Sequence, residues 1–171
     1  KVGLVQISTS FIGQDYFPYA LGLFQIYAQK YLDNINDFEF LLPIYKRIPV
    51  KKALEHLIET NIVFFSVYTW NLKISLEIAE QLKKRNSEVV IVFGGPDIPC
   101  RKTKEFLTLN PFIDLACLGA GEETFLFILK NYKNRDWKKI KGISFFNKED
   151  FFYSPETTGL LNLDTIPSPY L

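Results

Sequence analysis

Apolar residues fall along this chain in two rhythms. Short, mostly apolar runs occupy Val2–Ile7, Phe38–Leu42, Ile62–Tyr68, Val89–Phe93 and Ile113–Leu118. Runs of this length, bounded by turn-forming residues, predict strands buried on both faces. Between them apolar positions recur every three or four residues, which predicts helices. Pro18 suits a first helical turn, and Leu21, Phe24, Ala28 and Leu32 follow on one face. Pro49 precedes a second helix, Val50 to about Asn61, with Ala53, Leu54, Leu57 and Ile58 inward. Asn71 is placed as the N-cap of a third. That helix has Leu72, Leu76, Ala79 and Leu82 on its apolar face, and Glu77, Glu80, Lys83, Lys84 and Arg85 mostly on a solvated one. A short fourth helix spans about Lys102 to Leu109, and a fifth runs from Gly119-Ala120-Gly121-Glu122-Glu123 to about Tyr132.

Five alternations of strand and helix predict one doubly wound α/β domain with a five-stranded parallel sheet. Right-handed crossovers put helices on both faces. In such sheets ligands bind outside the carboxyl ends of the strands. The loops Ser8–Phe17, Thr69–Asn71, Gly94–Pro99 and Gly119–Glu123 all fall at that edge, so a binding site is expected there. Gly94 and Gly95 end the most apolar run, where a missing side chain lets backbone or ligand come close. The plain alternative is a tight turn after a core strand.

The rhythm then changes. Gly142–Phe146 and Phe151–Tyr153 flank Asn147-Lys148-Glu149-Asp150 and predict a β-hairpin, set on the sheet edge or over a face. The tail Leu161–Leu171 has two prolines and no periodicity. The expected layout is an α/β domain over 1–135, a hairpin extension over 136–160 and a linker over 161–171 leading to a further domain.

Composition narrows the class. The 171 residues are 47% hydrophobic and 23% charged, ordinary for a globular domain. A net charge of +1 gives no global field for nucleic acid or an anionic membrane. No apolar run approaches the ~20 residues of a membrane span, and no signal peptide is evident. Cys100 and Cys117 have no metal-ligand spacing, so a reduced, cytoplasmic setting is expected. The absence of Met suggests a segment excised from a longer chain.

Catalytic chemistry is sparse. The sole histidine, His56, falls in the second helix, away from the edge loops, and reads as structural. No Walker loop or Gly-x-Gly-x-x-Gly follows the first strand. Gly119-Ala120-Gly121 opens a helix, but Glu122 and Glu123 in its first turn repel an anion and complement the helix dipole instead. These glycines fit backbone approach to an uncharged surface. Asp15 and Asp97 stand at the edge without an identifiable partner. Tyr16, Phe17, Tyr68 and Trp70 either pack the loop bases or wall a large flat ligand.

Several stretches carry a resemblance. They are Val2-Gly3-Leu4 leading to Pro18–Leu23, Ile62–Asn71 with Ser66, Val92-Phe93-Gly94-Gly95-Pro96, Asp114 through Gly119-Ala120-Gly121-Glu122, Gly142-Ile143-Ser144 and Leu163–Pro169. In this order and spacing the chain resembles the N-terminal cobalamin-binding domain of cobalamin-dependent radical S-adenosylmethionine proteins, over nearly all of its length. The resemblance implies a flavodoxin-like fold, with the corrin ring on the carboxyl edge and the nucleotide tail in a pocket beside the third and fourth strands. Ser66 matches the serine near that tail, and Gly94-Gly95 the pair that lets it pass. A leucine at 95 is therefore expected to abolish binding and spare the fold. The implied cofactor-binding set is Ser10, Phe11, Ile12, Gly13, Ser66, Tyr68, Thr69, Trp70, Gly94, Gly95, Pro96, Gly119, Gly121 and Glu122. No catalytic residue and no protein ligand to a metal is expected in this chain.

The departures from the pattern matter too. Classical cobalamin domains carry Asp-x-His-x-x-Gly after the first strand, whose histidine ligates cobalt. Ser8–Phe17 has none, so the lower face of cobalt would meet water, another side chain or nothing. The usual Gly-Glu-Gly-Glu reads Gly119-Ala120-Gly121-Glu122. The Cys-x-x-x-Cys-x-x-Cys that holds an iron–sulfur cluster is absent. The expectation is a cobalamin module that presents the corrinoid to a separate radical domain, itself holding the iron–sulfur cluster and S-adenosylmethionine, in a methyltransferase or cyclase. The alternative is a cofactor-free docking domain with a degenerate site. A flavin or nucleotide module ranks third, since no phosphate loop is evident.

Overall fold

In the computed structural model, residues 1–11, 13–155 and 162–168 are described, with Ser10 and Phe11 as backbone alone. The chain runs through β1 (Val2–Val5), a small hairpin of β2 (Ser10–Phe11) and β3 (Gln14–Asp15), and α1 (Tyr19–Tyr31). It continues through α2 (Val50–Leu57), β4 (Ile62–Ser66), α3 (Leu72–Arg85), β5 (Val90–Gly94) and α4 (Thr103–Leu109). It ends with β6 (Leu115–Cys117), α5 (Glu122–Lys130), β7 (Ile143–Asn147) and β8 (Asp150–Tyr153). The sheet order is β1-β4-β5-β6-β7-β8. The first four strands are parallel, and the β7–β8 hairpin joins β6 antiparallel. The hairpin therefore extends the sheet edge and does not cover a face.

The predicted strand Phe38–Leu42 is present as a broken edge segment. Leu41 N donates to Val2 O (3.0 Å) and Ile44 N to Leu4 O (2.9 Å). Pro43 has no N–H to offer the Leu4 carbonyl, so Ile44 takes its place one residue late. Two parallel bridges remain, Val2 to Phe40 and Val5 to Ile44. With this segment beside β1, the five predicted parallel positions are accounted for. The arrangement is a flavodoxin-like α/β fold.

Alternation along the strands divides the core in two. Val5, Val63, Phe65, Ile91 and Phe93 pack toward α2 and α3, while Leu4, Phe64, Val92 and Leu115 pack toward α1 and α5. Phe65 and Phe93 are fully buried and stacked 4.8 Å apart. Each such ring contributes about 2–3 kcal/mol by leaving water.

Three local details differ from the sequence pattern. The second helix stops at Leu57, where the Leu57 carbonyl accepts from both N and Oγ1 of Thr60. On α3 the fully buried positions are Ser75, Ile78, Ala79 and Leu82, with Leu72 and Leu76 only partly covered. Lys83 does not face open solvent, since its Nζ reaches Val89 O (2.6 Å) and the Asp114 carboxylate (2.9 and 3.0 Å). Asp114 also accepts from Ile91 N (2.6 Å) and so joins α3, β5 and the start of β6.

A charge-assisted group with these partners is worth about 2 kcal/mol. Asp114→Ala should lower the unfolding free energy by about that amount, read as a reduced urea midpoint at unchanged slope. A loss under about 0.5 kcal/mol would show that water replaces the carboxylate without cost.

Candidate functional site

The strands reach the carboxyl edge with small or polar residues on one face only. On the side toward α1 and α5, the last row reads Gln6, Ser66, Gly94 and Cys117. Ser66 pairs in register with Gly94. Gln6 follows the Val5–Phe65 pair and Cys117 the Phe93–Ala116 pair. The row beneath is Leu4, Phe64, Val92 and Leu115, all buried. Stepping from large apolar to small side chains opens a cavity of about 150 Å³ above Phe64 and Val92. Leu21 and Phe24 of α1 wall one side, and Phe125 of α5 stacks 5.5 Å from Phe24.

Two glycines allow this shape. A Cβ on Gly121 would stand 2.5 Å from the Phe24 ring, so the ring occupies the space a side chain would need. Gly95 has φ +110°, and its Cβ would stand 2.5 Å from Val67 O. The second contact is with the domain's own backbone. The expectation that leucine at 95 spares the fold is therefore wrong: the substitution strains φ and collides with β4's exit.

The rim is held by Asn71. It immediately precedes α3, as predicted, but its side chain makes no cap hydrogen bond. It is wholly buried; Oδ1 accepts from Tyr68 N (2.8 Å), while Nδ2 donates to Ile7 O (2.9 Å) and Ser66 O (3.2 Å). Trp70 Nε1 donates to the same Ile7 carbonyl (3.1 Å). The indole stacks on Tyr68 at 4.6 Å and 12°, with 47% of Trp70 exposed. A fixed aromatic face thus stands beside the cavity mouth.

Of the sequence-predicted residues, Ser66, Tyr68, Gly94, Gly95, Gly119 and Gly121 line the cavity. Thr69 donates to Asp97 Oδ1 (2.9 Å), which ties the loops after β4 and β5 and gives Asp97 its partner. Pro96 is exposed beside Gly95, and Glu122 stands half-exposed in the first turn of α5. Gly13 is exposed in the β2–β3 turn, and Ser10 and Phe11 pair there with Asp15 and Gln14. Ile12 lies outside the described residues. Phe24, Phe125 and Cys117 were missed as site residues. Helical spacing placed Phe24 on a core face, and nothing in one sequence distinguishes a core phenylalanine from a cavity wall.

His56 is elsewhere, with Nε2 2.9 Å from Leu42 O. Among the described residues no group of three His, Cys, Asp or Glu can hold a metal. No described helix is long and apolar enough to cross a membrane. Neither Cys100 nor Cys117 forms a disulfide among the described residues.

The sequence profile of the B12 binding domain matches residues 38–129, more than half of the chain. This chain belongs to the B12-binding domain family. The domain is 27% identical over 166 residues to the cobalamin-dependent radical SAM methyltransferase TokK of Streptomyces tokunonensis, covering 94% of this chain and 24% of TokK. It is 25% identical over 158 residues to the 2-(S-pantetheinyl)-carbapenam-3-carboxylate methyltransferase of Streptantibioticus cattleyicolor, covering 91% and 23%. Its fold matches the cobalamin-dependent S-adenosylmethionine radical enzyme OxsB, solved with aqua-cobalamin and S-adenosylmethionine bound, at a TM-score of 0.75 and 18% identity over 97% of this chain and 23% of OxsB. The domain spans about a quarter of the length of these relatives.

Two measurements check the geometry of this B12-binding domain. Asn71→Ala breaks three buried hydrogen bonds and should cost about 3 kcal/mol in urea unfolding. Asn71→Asp should cost at least as much at neutral pH, because a carboxylate cannot donate to two carbonyls. A cost under about 1 kcal/mol for both would mean the edge holds without this amide. Desolvation pushes the Cys117 thiol up to about 12. At pH 8 its alkylation by iodoacetamide should be roughly a thousandfold slower than that of a free cysteine. The raised value also weakens folding as pH climbs from 9.0 toward 12, where only the unfolded thiol ionises. Rapid labelling of Cys117 in the native state would contradict this desolvation.

Proposed function

We propose that this chain is the cobalamin-binding module of a radical S-adenosylmethionine enzyme, and that the cavity between the sheet and α1/α5 receives the base of the nucleotide tail. The observation that carries this is the cavity itself. It holds about 150 Å³, and among the described lining residues none is charged. An apolar cavity of that size takes one benzene-like ring. A flat aromatic base matches the volume and the Phe24 and Phe125 walls. Gly94 keeps the floor low beside Cys117, and the missing Cβ of Gly121 is space the Phe24 wall uses.

The residues then take distinct roles. Ser66 places the hydroxyl on the floor that can hydrogen-bond a ring nitrogen of the base. Phe24 and Phe125 exclude water around it. Tyr68 and Trp70 present a fixed aromatic face to the corrin at the carboxyl edge. Bound there, cobalamin supplies the cobalt-centred chemistry of the parent enzyme. The sole histidine, His56, stands away from the cavity, with Nε2 2.9 Å from Leu42 O, and in this reading it takes no part in holding the corrinoid.

The relatives named above support a methyltransferase parent, with the iron–sulfur cluster and S-adenosylmethionine in a partner domain beyond this one. The proposed layout keeps 1–135 as the α/β domain, 136–160 as its extension and 161–171 as the lead to that partner.

Hydroxocobalamin should bind saturably and shift the visible spectrum toward a tail-displaced form. Ser66→Leu fills the cavity floor with apolar volume and should weaken binding at least about a hundredfold while the domain stays folded, as circular dichroism would show. Ser66→Ala should cost only about five- to tenfold, the worth of one hydrogen bond. Equal affinity in Ser66→Leu would remove the cavity from the binding site. No binding by the unmodified domain at high micromolar corrinoid would favour a cofactor-free docking role.

A further inference from the structure

Carbon lines most of the cavity. Leu21, Phe24, Phe64, Val92 and Phe125 bring only apolar side chains to it. Among the described lining residues the polar side chains are Ser66, Tyr68 and Cys117. Tyr68 is stacked on Trp70 at the rim, and a thiol is both a weak donor and a weak acceptor. Ser66 therefore brings the strong hydrogen-bonding side chain of the floor. The carbonyls of the surrounding Ser66, Gly94, Gly95 and Gly121 are already engaged. Gly94 O accepts from Val67 N (2.7 Å), Gly95 O from Ile98 N (3.2 Å), Gly121 O from Phe125 N (2.8 Å) and Ser66 O from Asn71 Nδ2 (3.2 Å).

A ring that enters this space exchanges water for carbon, and each polar group on its edge then needs a partner inside. The Ser66 hydroxyl serves one such group. Apolar ring surface, methyl groups included, gains from the same walls. The site thus separates flat bases of similar size by the polar groups they carry. Dimethylbenzimidazole, the base of cobalamin, has a single unsubstituted ring nitrogen and carries methyl groups on its six-membered ring. Adenine has further nitrogens and an amino group there. Ser66 matches the nitrogen of dimethylbenzimidazole, whereas the amino group of adenine and its remaining nitrogens outnumber the partners on offer. An apolar pocket rejects an added polar group by up to about a hundredfold.

We infer that this cavity selects the base of the corrinoid, admitting a benzimidazole in preference to a purine, with Ser66 and the Phe24 and Phe125 walls setting the preference. The inference rests on the cobalamin reading above and goes a step beyond it. A domain that held only the corrin ring would not distinguish corrinoids that differ in the base alone.

The test titrates the full chain with the dicyano forms of cobalamin, of adeninylcobamide, which carries adenine in place of dimethylbenzimidazole, and of cobinamide, which lacks the nucleotide. With cyanide on both faces of cobalt neither base is held by the metal, so the bases' different affinities for cobalt drop out of the comparison. Dicyanocobalamin should bind about tenfold to a hundredfold more tightly than the adenine form, the effect of buried polar groups left unpaired. In Ser66→Leu, shown to be folded by circular dichroism, the cavity is filled and the two should bind alike. Equal affinity of both for the unmodified chain, each tighter than cobinamide, overturns the selectivity and leaves the cobalamin reading standing. A preference undiminished in folded Ser66→Leu also overturns it, since the selection then lies outside the cavity. Equal affinity of all three corrinoids takes the base out of the cavity and the inference falls. If none of the three binds, the cobalamin reading fails, and the inference with it.

Discussion

The carboxyl edge of this domain depends on one buried carboxamide. Three strand ends and loops meet where β1 and β4 stop and α3 begins, and each brings a main-chain group with no ladder partner. Asn71 satisfies two carbonyls and one N–H at once. Only a neutral amide carries both a donor pair and an acceptor on so short a side chain. Serine has one donor and aspartate none. The same Ile7 carbonyl also fixes the Trp70 indole. Thus the floor position Ser66 and the rim residues Tyr68 and Trp70 are set by one group that does not itself line the cavity.

That tie makes a division of labour between the two faces possible. Toward α2 and α3 the strands stay large and apolar up to the edge, ending in stacked Phe65 and Phe93. Toward α1 and α5 the last row shrinks to Gln6, Ser66, Gly94 and Cys117. Residues one position apart on the same strand therefore serve opposite ends. Phe93 fills its face, and Gly94 leaves its face open. Packed interiors tolerate few voids, so an opening of this size on one face is stabilised by dense packing on the other.

The periodicity made the strands, the helices and the edge legible, because both are direct consequences of which positions must leave water. It also drew the loop glycines to one edge, since loop positions follow from strand ends, while Ser66 entered through the family resemblance. What it could not supply is how groups distant in sequence meet. Asn71 looked like a helix cap because a single sequence shows its place before a helix and not the Ile7 carbonyl sixty-four residues back. Gly95 looked like a ligand slot, although Val67 in the same domain already requires it. Pro43 was visible, but its cost fell on the pairing with Leu4, which depends on which strand lies alongside. Lys83 sat on a charged helix face, and only the tertiary fold carries its ammonium to Asp114.

Electrostatics then decides among ligands that share this edge in α/β folds. A flavin or nucleotide brings a phosphate, which needs backbone N–H groups at a helix start or a basic side chain. Two helix starts lie at the cavity, those of α1 and α5, and Glu122 and Glu123 occupy the first turn of α5. Their carboxylates favour the positive end of the helix dipole and oppose any anion brought to it. Among the described residues lining the cavity there is no Lys or Arg to offset them. The polar groups that do face the cavity, Ser66, Tyr68 and the thiol of Cys117, are all neutral, the last held so by desolvation. An uncharged aromatic group enters such a space at little cost, whereas a phosphate would lose its hydration and gain two repulsive neighbours. The same small residues that open the cavity thus bear on what fits it, by size through Gly94 and Gly121 and by charge through the lack of Lys or Arg among its described lining residues.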